Sequence, residues 1–293
     1  MRIVKIVAGL GNQLFAYTFY RKIKKLYGEC YVDLGWYDFT NRFAWYPYQL
    51  EMLGLKADEL RRDEYVVKEL YMEKNNISSD TFEAMRKGFD IPIVRLVKET
   101  NAYACDMLWK TDNAYYMGSF QNIDNIREAI DDIKSEIIFP SNDDMEFLSL
   151  KEKILCSNSV GLHIRLADYD MEDFEQICPM QYYYCAIEYM REHLENPIFF
   201  VFSNKIEKAK EKLGNHEDFI FVDVNDRYHG IGDMELMALC KNNIIPNSTF
   251  GWWAAVFNKN PDKIVVAPNR FNEKLKNVKD EDINLWFDEW VRL

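Results

Sequence analysis

The segment Ile3-Val4-Lys5-Ile6-Val7-Ala8-Gly9-Leu10-Gly11 is a short apolar run that stops at two closely spaced glycines. A run of this length, bounded by glycine, reads as a buried strand. Leu14, Phe15, Thr18, Phe19, Ile23 and Leu26 then recur at three and four residues, the period of a helix, and Gly28 closes it. Residues 30–34 return to strand character. Strand, glycine turn, helix and second strand together make the opening of a doubly wound α/β sheet.

Further along, the pattern loosens and then tightens again. Residues 36–115 mix helical stretches, at 60–71 and 82–87, with aromatic loops and show no clear strand alternation. Residues 115–120 read as a strand and 123–137 as a helix. Pro140-Ser141-Asn142-Asp143-Asp144 is polar and turn-forming, which places a domain boundary there. Beyond it, strands at 160–164, 198–202, 219–222, 243–245 and 263–267 alternate with helices at 181–194, 206–213, 233–240 and 250–258, the order of a parallel sheet with right-handed crossovers. A last helix at 282–291, carrying Leu285, Trp286, Phe287 and Trp290, is expected to pack back across the domains. The expected organisation is an amino-terminal domain at 1–140, a carboxyl-terminal domain at 141–280 and that helix at 281–293. Ligands of such sheets bind at the carboxyl ends of the strands.

Composition removes several classes of function. The 293 residues are 48% hydrophobic, enough for real cores. Lys and Arg number 36 against 48 Asp and Glu, a net charge of −12, which argues against a nucleic-acid or anionic-membrane surface. Cys30, Cys105, Cys156, Cys178, Cys185 and Cys240 form no CxxC pair, and the four histidines show no metal-ligand spacing. The start, Met1-Arg2-Ile3-Val4, has no secretory h-region, and no apolar stretch reaches about 18 residues. A cytoplasmic protein without a membrane span is expected, with peripheral association at the inner face of the membrane compatible with it.

Four constellations have chemistry to offer. Gly9-Leu10-Gly11-Asn12-Gln13 lies between a strand and a helix, where glycines let a backbone approach an anion. A dinucleotide fingerprint needs a third glycine where Leu14 stands, so a plain βα turn is the equal alternative. In Gly161-Leu162-His163-Ile164-Arg165-Leu166-Ala167-Asp168-Tyr169, strand alternation points His163 and Arg165 to one face, with Asp168 beyond the strand end. Arg165 offers a fork suited to phosphate oxygens; the structural alternative is an Arg165–Asp168 ion pair. Asp233, at the start of a helical stretch, is a helix cap or a partner for a guanine edge. Pro246-Asn247-Ser248-Thr249-Phe250-Gly251-Trp252-Trp253 ends a strand in hydrogen-bonding residues and opens an apolar helix. Ser248 and Thr249 suit a phosphate there, and helix capping is compatible with that role.

Taken in order, these pieces resemble the bacterial α-1,2-fucosyltransferases of glycosyltransferase family 11. The likeness runs from Gly9-Leu10-Gly11-Asn12-Gln13-Leu14-Phe15-Ala16-Tyr17 through Tyr116-Met117-Gly118-Ser119-Phe120-Gln121, His163 to Tyr169 and Val201-Phe202-Ser203-Asn204 to the block from Asp233 to Trp253. The resemblance implies a GT-B fold: two Rossmann-like domains whose parallel sheets face a cleft. It also implies GDP-fucose as donor, inversion at the sugar, no metal or other cofactor, and a galactose-terminated glycan of a surface polysaccharide or O-antigen as acceptor. Arg165 would grip the β-phosphate, and His163 and Asp233 would lie at the guanosine. Ser248, Thr249 and Phe250 would lie near the phosphates, with Gly9 and Gly11 also on the donor side. Asn12 would face the reacting centre, and Asp168 is the nearest base for the acceptor hydroxyl.

Two places depart from the family pattern. The usual His-x-Arg-Arg-x-Asp, with glycine before the Asp, has Leu166 and Ala167 here, and Phe-Ser-Asp-Asp appears as Phe202-Ser203-Asn204-Lys205. Another GDP-sugar transferase, a nucleotide-dependent oxidoreductase built on the Gly9–Gly11 turn, and a catalytically silent carbohydrate-binding protein are the rival readings.

Overall fold

The structure, a computed structural model, describes residues 2–40, 47–60, 95–98, 114–166, 178–224, 230–269 and 285–293. The chain divides into two compact units, Met1–Ile138 with Glu281–Leu285, and Phe139–Asp280 with Trp286–Leu293.

In the first unit, β1 (Arg2–Lys5), β2 (Tyr31–Asp33), β3 (Arg95–Lys98) and β4 (Ala114–Met117) form a parallel sheet in the order β2-β1-β4-β3. Helix α1 (Leu10–Tyr27) connects β1 to β2, as the apolar spacing predicts, and a short α2 (Gly35–Thr40) follows β2. α1 is buried around most of its circumference, so Phe15, Tyr17, Phe19 and Tyr20 all lie in the interior. Phe19 stacks on Phe120, centroids 4.2 Å apart, and meets Tyr116 edge-on. α3 (Ile123–Glu136) packs on α1; its first turn is capped by Asn122, whose side chain accepts from the Asp124 amide. β3 lies in the stretch that shows no strand alternation in sequence. The helices expected at 60–71 and 82–87 fall, apart from Leu60, outside the described residues.

The second unit opens with α4 (Met145–Cys156), a helix the sequence reading omits. Asp144 caps it, accepting from the Glu146 and Phe147 amides. Then β5 (Asn158–Ile164), α5 (Met180–His193), β6 (Pro197–Ser203), α6 (Ile206–Leu213), β7 (Phe219–Phe221), α7 (Ile231–Leu239), β8 (Asn242–Ile244), α8 (Thr249–Phe257) and β9 (Val265–Ala267) alternate. The six-stranded sheet runs β10-β9-β8-β5-β6-β7, with every pairing parallel. β5 is buried on both faces, the normal state of a parallel strand covered by helices. From β5, the chain moves outward to β6 and β7, returns, and fills β8, β9 and β10 on the other side. This is the doubly wound dinucleotide-fold order, and its reversal point lies between β5 and β8.

The expected last helix is corrected by the structure. In the described part of that stretch, turns lead to β10 (Val291–Arg292), which pairs with β9 at Val266 and Ala267. Phe287 stacks on Trp252, centroids 5.8 Å apart, and Trp290 packs on the same ring. The aromatic spacing that reads as helical thus serves a loop that drapes over α8.

Buried asparagines tie α7, β8 and α8 together. Asn258 Nδ2 donates to Asn243 Oδ1 at 2.7 Å and to the Cys240 carbonyl at 2.8 Å. Asn243 Nδ2 donates to the Met237 carbonyl at 2.9 Å. Asn258→Ala leaves two buried acceptors unpaired and should cost about 2–3 kcal/mol, read as a lowered urea midpoint with unchanged slope. An unaltered midpoint would remove this network from the supports of the sheet.

Candidate active site

The reversal point between β5 and β8 collects most of the residues singled out in the second half of the sequence. β5 delivers His163, and Arg165 follows just past its carboxyl end. β8 runs through the buried Ile245, Pro246, Asn247 and Ser248 into α8, so that helix begins beside the end of β5. The approach is close at two glycines. A Cβ on Gly161 would stand 2.9 Å from Asn243 Nδ2, and one on Gly251 would stand 2.6 Å from His163 Nδ1. Only glycine allows α8 to lie this near β5.

His163 is 7% exposed, and its Nδ1 is buried without a hydrogen-bond partner. Burial, and secondarily the nearby Arg165 charge, lower its pKa from the ordinary 6.5 to about 3. The ring is therefore neutral across the physiological range. Phe250 meets it edge-on, centroids 5.6 Å apart. Gly230, which carries φ +49°, lies against the Phe250 ring: a Cβ there would stand 3.3 Å from Cε2. His163, Phe250 and Gly230 thus form a continuous layer joining β5 to the starts of α8 and α7.

Arg165 is exposed, and its guanidinium has neither a carboxylate nor a hydrogen-bond acceptor among the described residues. Asp168, its expected ion-pair partner and the expected base, lies outside the described residues, as do Asp170 and Glu172. Ser248 occupies the N-cap position of α8 but makes no side-chain cap, and its buried Oγ has no partner. Its amide donates to the Pro246 carbonyl at 2.8 Å, and its carbonyl accepts from Trp252 at 3.0 Å, the first bond of the helix. Thr249 and Phe250 are the first two helical residues, in the turn whose amides have no intrahelical acceptor. A cationic fork past the end of β5 and a helix N-terminus after the neighbouring β8 are groups that suit an anion.

Asp233 is the third residue of α7. The N-cap is Gly230, whose carbonyl accepts from Met234, so the capping alternative for Asp233 does not hold. Its carboxylate lies in the first turn, half-buried.

The residues expected from the first half gather at the carboxyl ends of the neighbouring strands β1 and β4 of the other unit. Gly9 is the N-cap of α1, with φ −77° and ψ 171°, while Gly11 and Asn12 already belong to the helix. The left-handed residue of the turn is Ala8, at φ +65°. Its carbonyl accepts from Gln13 Nε2 at 3.0 Å and Tyr37 Oη at 2.9 Å, bonds that offset a conformation costing about 1 kcal/mol. Asn12 Oδ1 accepts from Gln121 Nε2 at 2.8 Å, linking the turn after β1 to the loop after β4. Gln121 stands in the quoted Tyr116–Gln121 motif but was not singled out there. Gln13, fully buried, also accepts from the Gln49 amide and donates to the Pro47 carbonyl.

The sequence profile of Glycosyl transferase family 11 matches residues 59–293. The chain belongs to glycosyl transferase family 11. An Escherichia coli O-antigen biosynthesis glycosyltransferase, WbnK, is 30% identical, with 94% of this chain and 98% of that protein aligned. An E. coli alpha-1,2-colitosyltransferase is 28% identical over 99% of this chain and 98% of its own length. Human galactoside alpha-(1,2)-fucosyltransferase 1 is 30% identical over 33% of this chain and 28% of its own. Among solved structures, an Arabidopsis thaliana FUT1 in complex with GDP superposes with a TM-score of 0.50 at 14% identity, covering 90% of this chain and 69% of that one. The fold is of GT-B type, α/β with a parallel sheet in each unit.

The two departures from the family pattern are neighbours. Asn204, in the turn after β6, bonds the backbone of Leu166 directly, and the Leu166 side chain is buried in the core of the unit. Among the described residues, no group of three or more His, Cys, Asp or Glu is placed to hold a metal ion. No described helix is long and apolar enough to cross a membrane.

Gly251→Ala forces a methyl group into His163, and overpacking of this kind costs about 1–3 kcal/mol. The expected result is a lowered thermal midpoint; an unchanged midpoint would mean the helix can slide off β5. His163 makes a second, pH-dependent contribution. Below 6.5 the unfolded chain protonates it while the folded chain, down to about 3, does not. The unfolded state then binds the extra proton, so stability falls as pH drops through that window, by up to about 1.4 kcal/mol per pH unit. His163→Gln should flatten the slope by that one-proton share in denaturation measured at several pH values.

Proposed function

We propose that this glycosyltransferase transfers L-fucose from GDP-fucose to a galactose hydroxyl in α-1,2 linkage, with inversion and without a metal or other cofactor. The observation that carries the reading is the reversal point of a doubly wound sheet. There Arg165, with no acceptor for its guanidinium among the described residues, follows the end of β5, and the neighbouring β8 leads into the α8 N-terminus with its unbonded Ser248 hydroxyl. That arrangement fits a nucleoside diphosphate. The relatives support the rest: they are named for O-antigen synthesis, for alpha-1,2-colitosyl transfer and for galactoside alpha-(1,2)-fucosyl transfer.

In the proposed step, the acceptor hydroxyl oxygen forms a bond to sugar C1 as the bond from C1 to the β-phosphate oxygen breaks on the opposite face. Negative charge grows on the departing diphosphate. Arg165 and the amides of Thr249 and Phe250 stabilise it where other transferases use a metal. His163, being neutral, adds no charge to that balance and serves, with Asp233, the guanosine. The hydroxyl proton goes to a base, for which Asp168 is the candidate. Asn12 completes the reacting centre, with Gly9 and Gly11 at the turn that carries it. Acceptor choice belongs to loops, the variable parts of a fixed scaffold.

The relative named for colitosyl transfer favours a second reading, in which fold, nucleotide and linkage stay and the sugar changes. Assays with GDP-fucose and with a colitosyl donor, on galactose-terminated acceptors and followed by linkage analysis, separate the two. Calorimetry tests what they share: GDP should bind, UDP and NAD weakly or not at all, and tight NAD binding without GDP binding would sink both. Arg165→Ala should weaken GDP by about 10–100-fold, the range of a charged hydrogen bond, and turnover by about 10²–10³-fold. Full activity in EDTA is expected, and strict magnesium dependence would contradict the mechanism.

A further inference from the structure

We propose that Asn204 is a positioning residue for Arg165, acting through the backbone of Leu166. The inference rests on the reading of Arg165 as a diphosphate ligand, and it follows from how the β5–β6 ladder ends. The two strands pair from Asn158 with Pro197 to Ile164 with Ser203. At Asn204 the β6 chain turns away toward α6, so its backbone no longer runs beside β5. The chain beyond Ile164 would then leave the sheet with its amide and carbonyl unpaired, just where Arg165 must be held. Asn204 supplies the missing edge. Its Oδ1 accepts from the Leu166 amide at 3.0 Å, and its Nδ2 donates to the Leu166 carbonyl at 2.9 Å. A primary amide is the side-chain group that carries a peptide-like donor and acceptor together. A carboxylate at 204 accepts the first bond and refuses the second.

Three further contacts make this a clamp rather than one surface bond. The Arg165 amide donates to Tyr183 Oη at 3.3 Å, from the α5 side. The Leu166 side chain is buried in the core among Val160, Leu162 and Tyr183. The Lys205 amide bonds Ser203 Oγ, shaping the turn that presents Asn204. Residues 165 and 166 are thus fixed by backbone bonds and a buried side chain, and the exposed Arg165 guanidinium has no acceptor among the described residues. With leucine at 166 the fork of Arg165 has no adjacent arginine to share its work, so its pre-organisation counts directly in affinity.

The test is a cycle on GDP binding with Asn204→Ala, Arg165→Ala and the double variant, together with amide exchange at Leu166 in protein without nucleotide. Asn204→Ala should weaken GDP about tenfold and speed exchange at Leu166. Asn204→Asp, which keeps the shape and one bond, should fall between it and the natural residue. In the Arg165→Ala background, Asn204→Ala should change GDP affinity by less than about twofold, because the residue it positions is gone. A full tenfold loss in that background would overturn the proposal, as would equal Leu166 exchange in the two proteins. Absence of GDP binding by the natural sequence would instead defeat the diphosphate reading, and the exchange measurement would still decide the clamp.

Discussion

A methyl group on residue 251 has nowhere to go, since it would stand 2.6 Å from His163 Nδ1. That contact sets how closely the start of α8 rests on the end of β5, and the other parts of the site follow from it. Because the helix is this near, Phe250 reaches the face of the imidazole, and Gly230 can tuck under Phe250. The same closeness dries the ring, so a buried histidine must stay neutral or cost several kcal/mol to charge. Gly161 repeats the device within the sheet, where the missing side chain makes room for Asn243, and Asn258 locks that asparagine from α8. Small residues and buried amides together fix a spacing that a purely apolar interface would leave free to slide.

In both units the candidate residues stand at the carboxyl ends of two neighbouring strands. In the second unit the chain leaves a central strand in one direction and later returns on the other side, so the connections diverge at the carboxyl ends of two neighbouring strands. In the first, β1 to β2 and β3 to β4 step the same way, and α1 and α3, which follow the neighbours β1 and β4, pack on each other. In the second unit those strands are β5 and β8, and the gap collects Arg165, His163 and the N-terminus of α8. In the first the neighbouring strands are β1 and β4, without that divergence, and there Asn12 and Gln121 meet at 2.8 Å. A reversal point is a natural place for function because its side chains are not needed to cover a crossover. The units differ in what they place at these strand ends. One has a cation and a helix start, suited to negative charge, and the other has paired amides, suited to neutral hydroxyl groups.

The strands and helices of the second unit were largely legible because apolar runs alternate with helical periods, and strand alternation brought out His163 and Arg165, of which the structure buries the first and exposes the second. What escaped the reading shares a cause. β10 is two residues long, too short for any period to show, and Trp286, Phe287 and Trp290 imitate a helix while packing as a loop on Trp252. Asp233 sits near a helix start, but the glycine three residues earlier takes the cap by adopting a left-handed backbone. In the first turn of the chain, the glycines drew attention, yet Ala8 holds the positive φ, and the cause is distant: Tyr37 and Gln13 bond its carbonyl. Each miss depends on a partner that local spacing does not reveal.

The same limit applies to substitutions. In sequence, Leu166 and Asn204 are two separate losses, an arginine and a carboxylate, and together they make the chain look weakened. In three dimensions they touch, and they compensate. An arginine at 166 beside a carboxylate at 204 would be an ion pair near the surface, and such pairs contribute little. Leucine at 166 moves that position into the core, while asparagine at 204 bonds the backbone the leucine anchors. The exchange at 166 and 204 removes one positive and one negative charge, and Lys205 stands where the family pattern has a second carboxylate. In a chain with net charge −12, an anionic ligand gains nothing from the overall field, and attraction must come from local donors held in place. Arg165, on a backbone held by Asn204 and Tyr183, is such a donor.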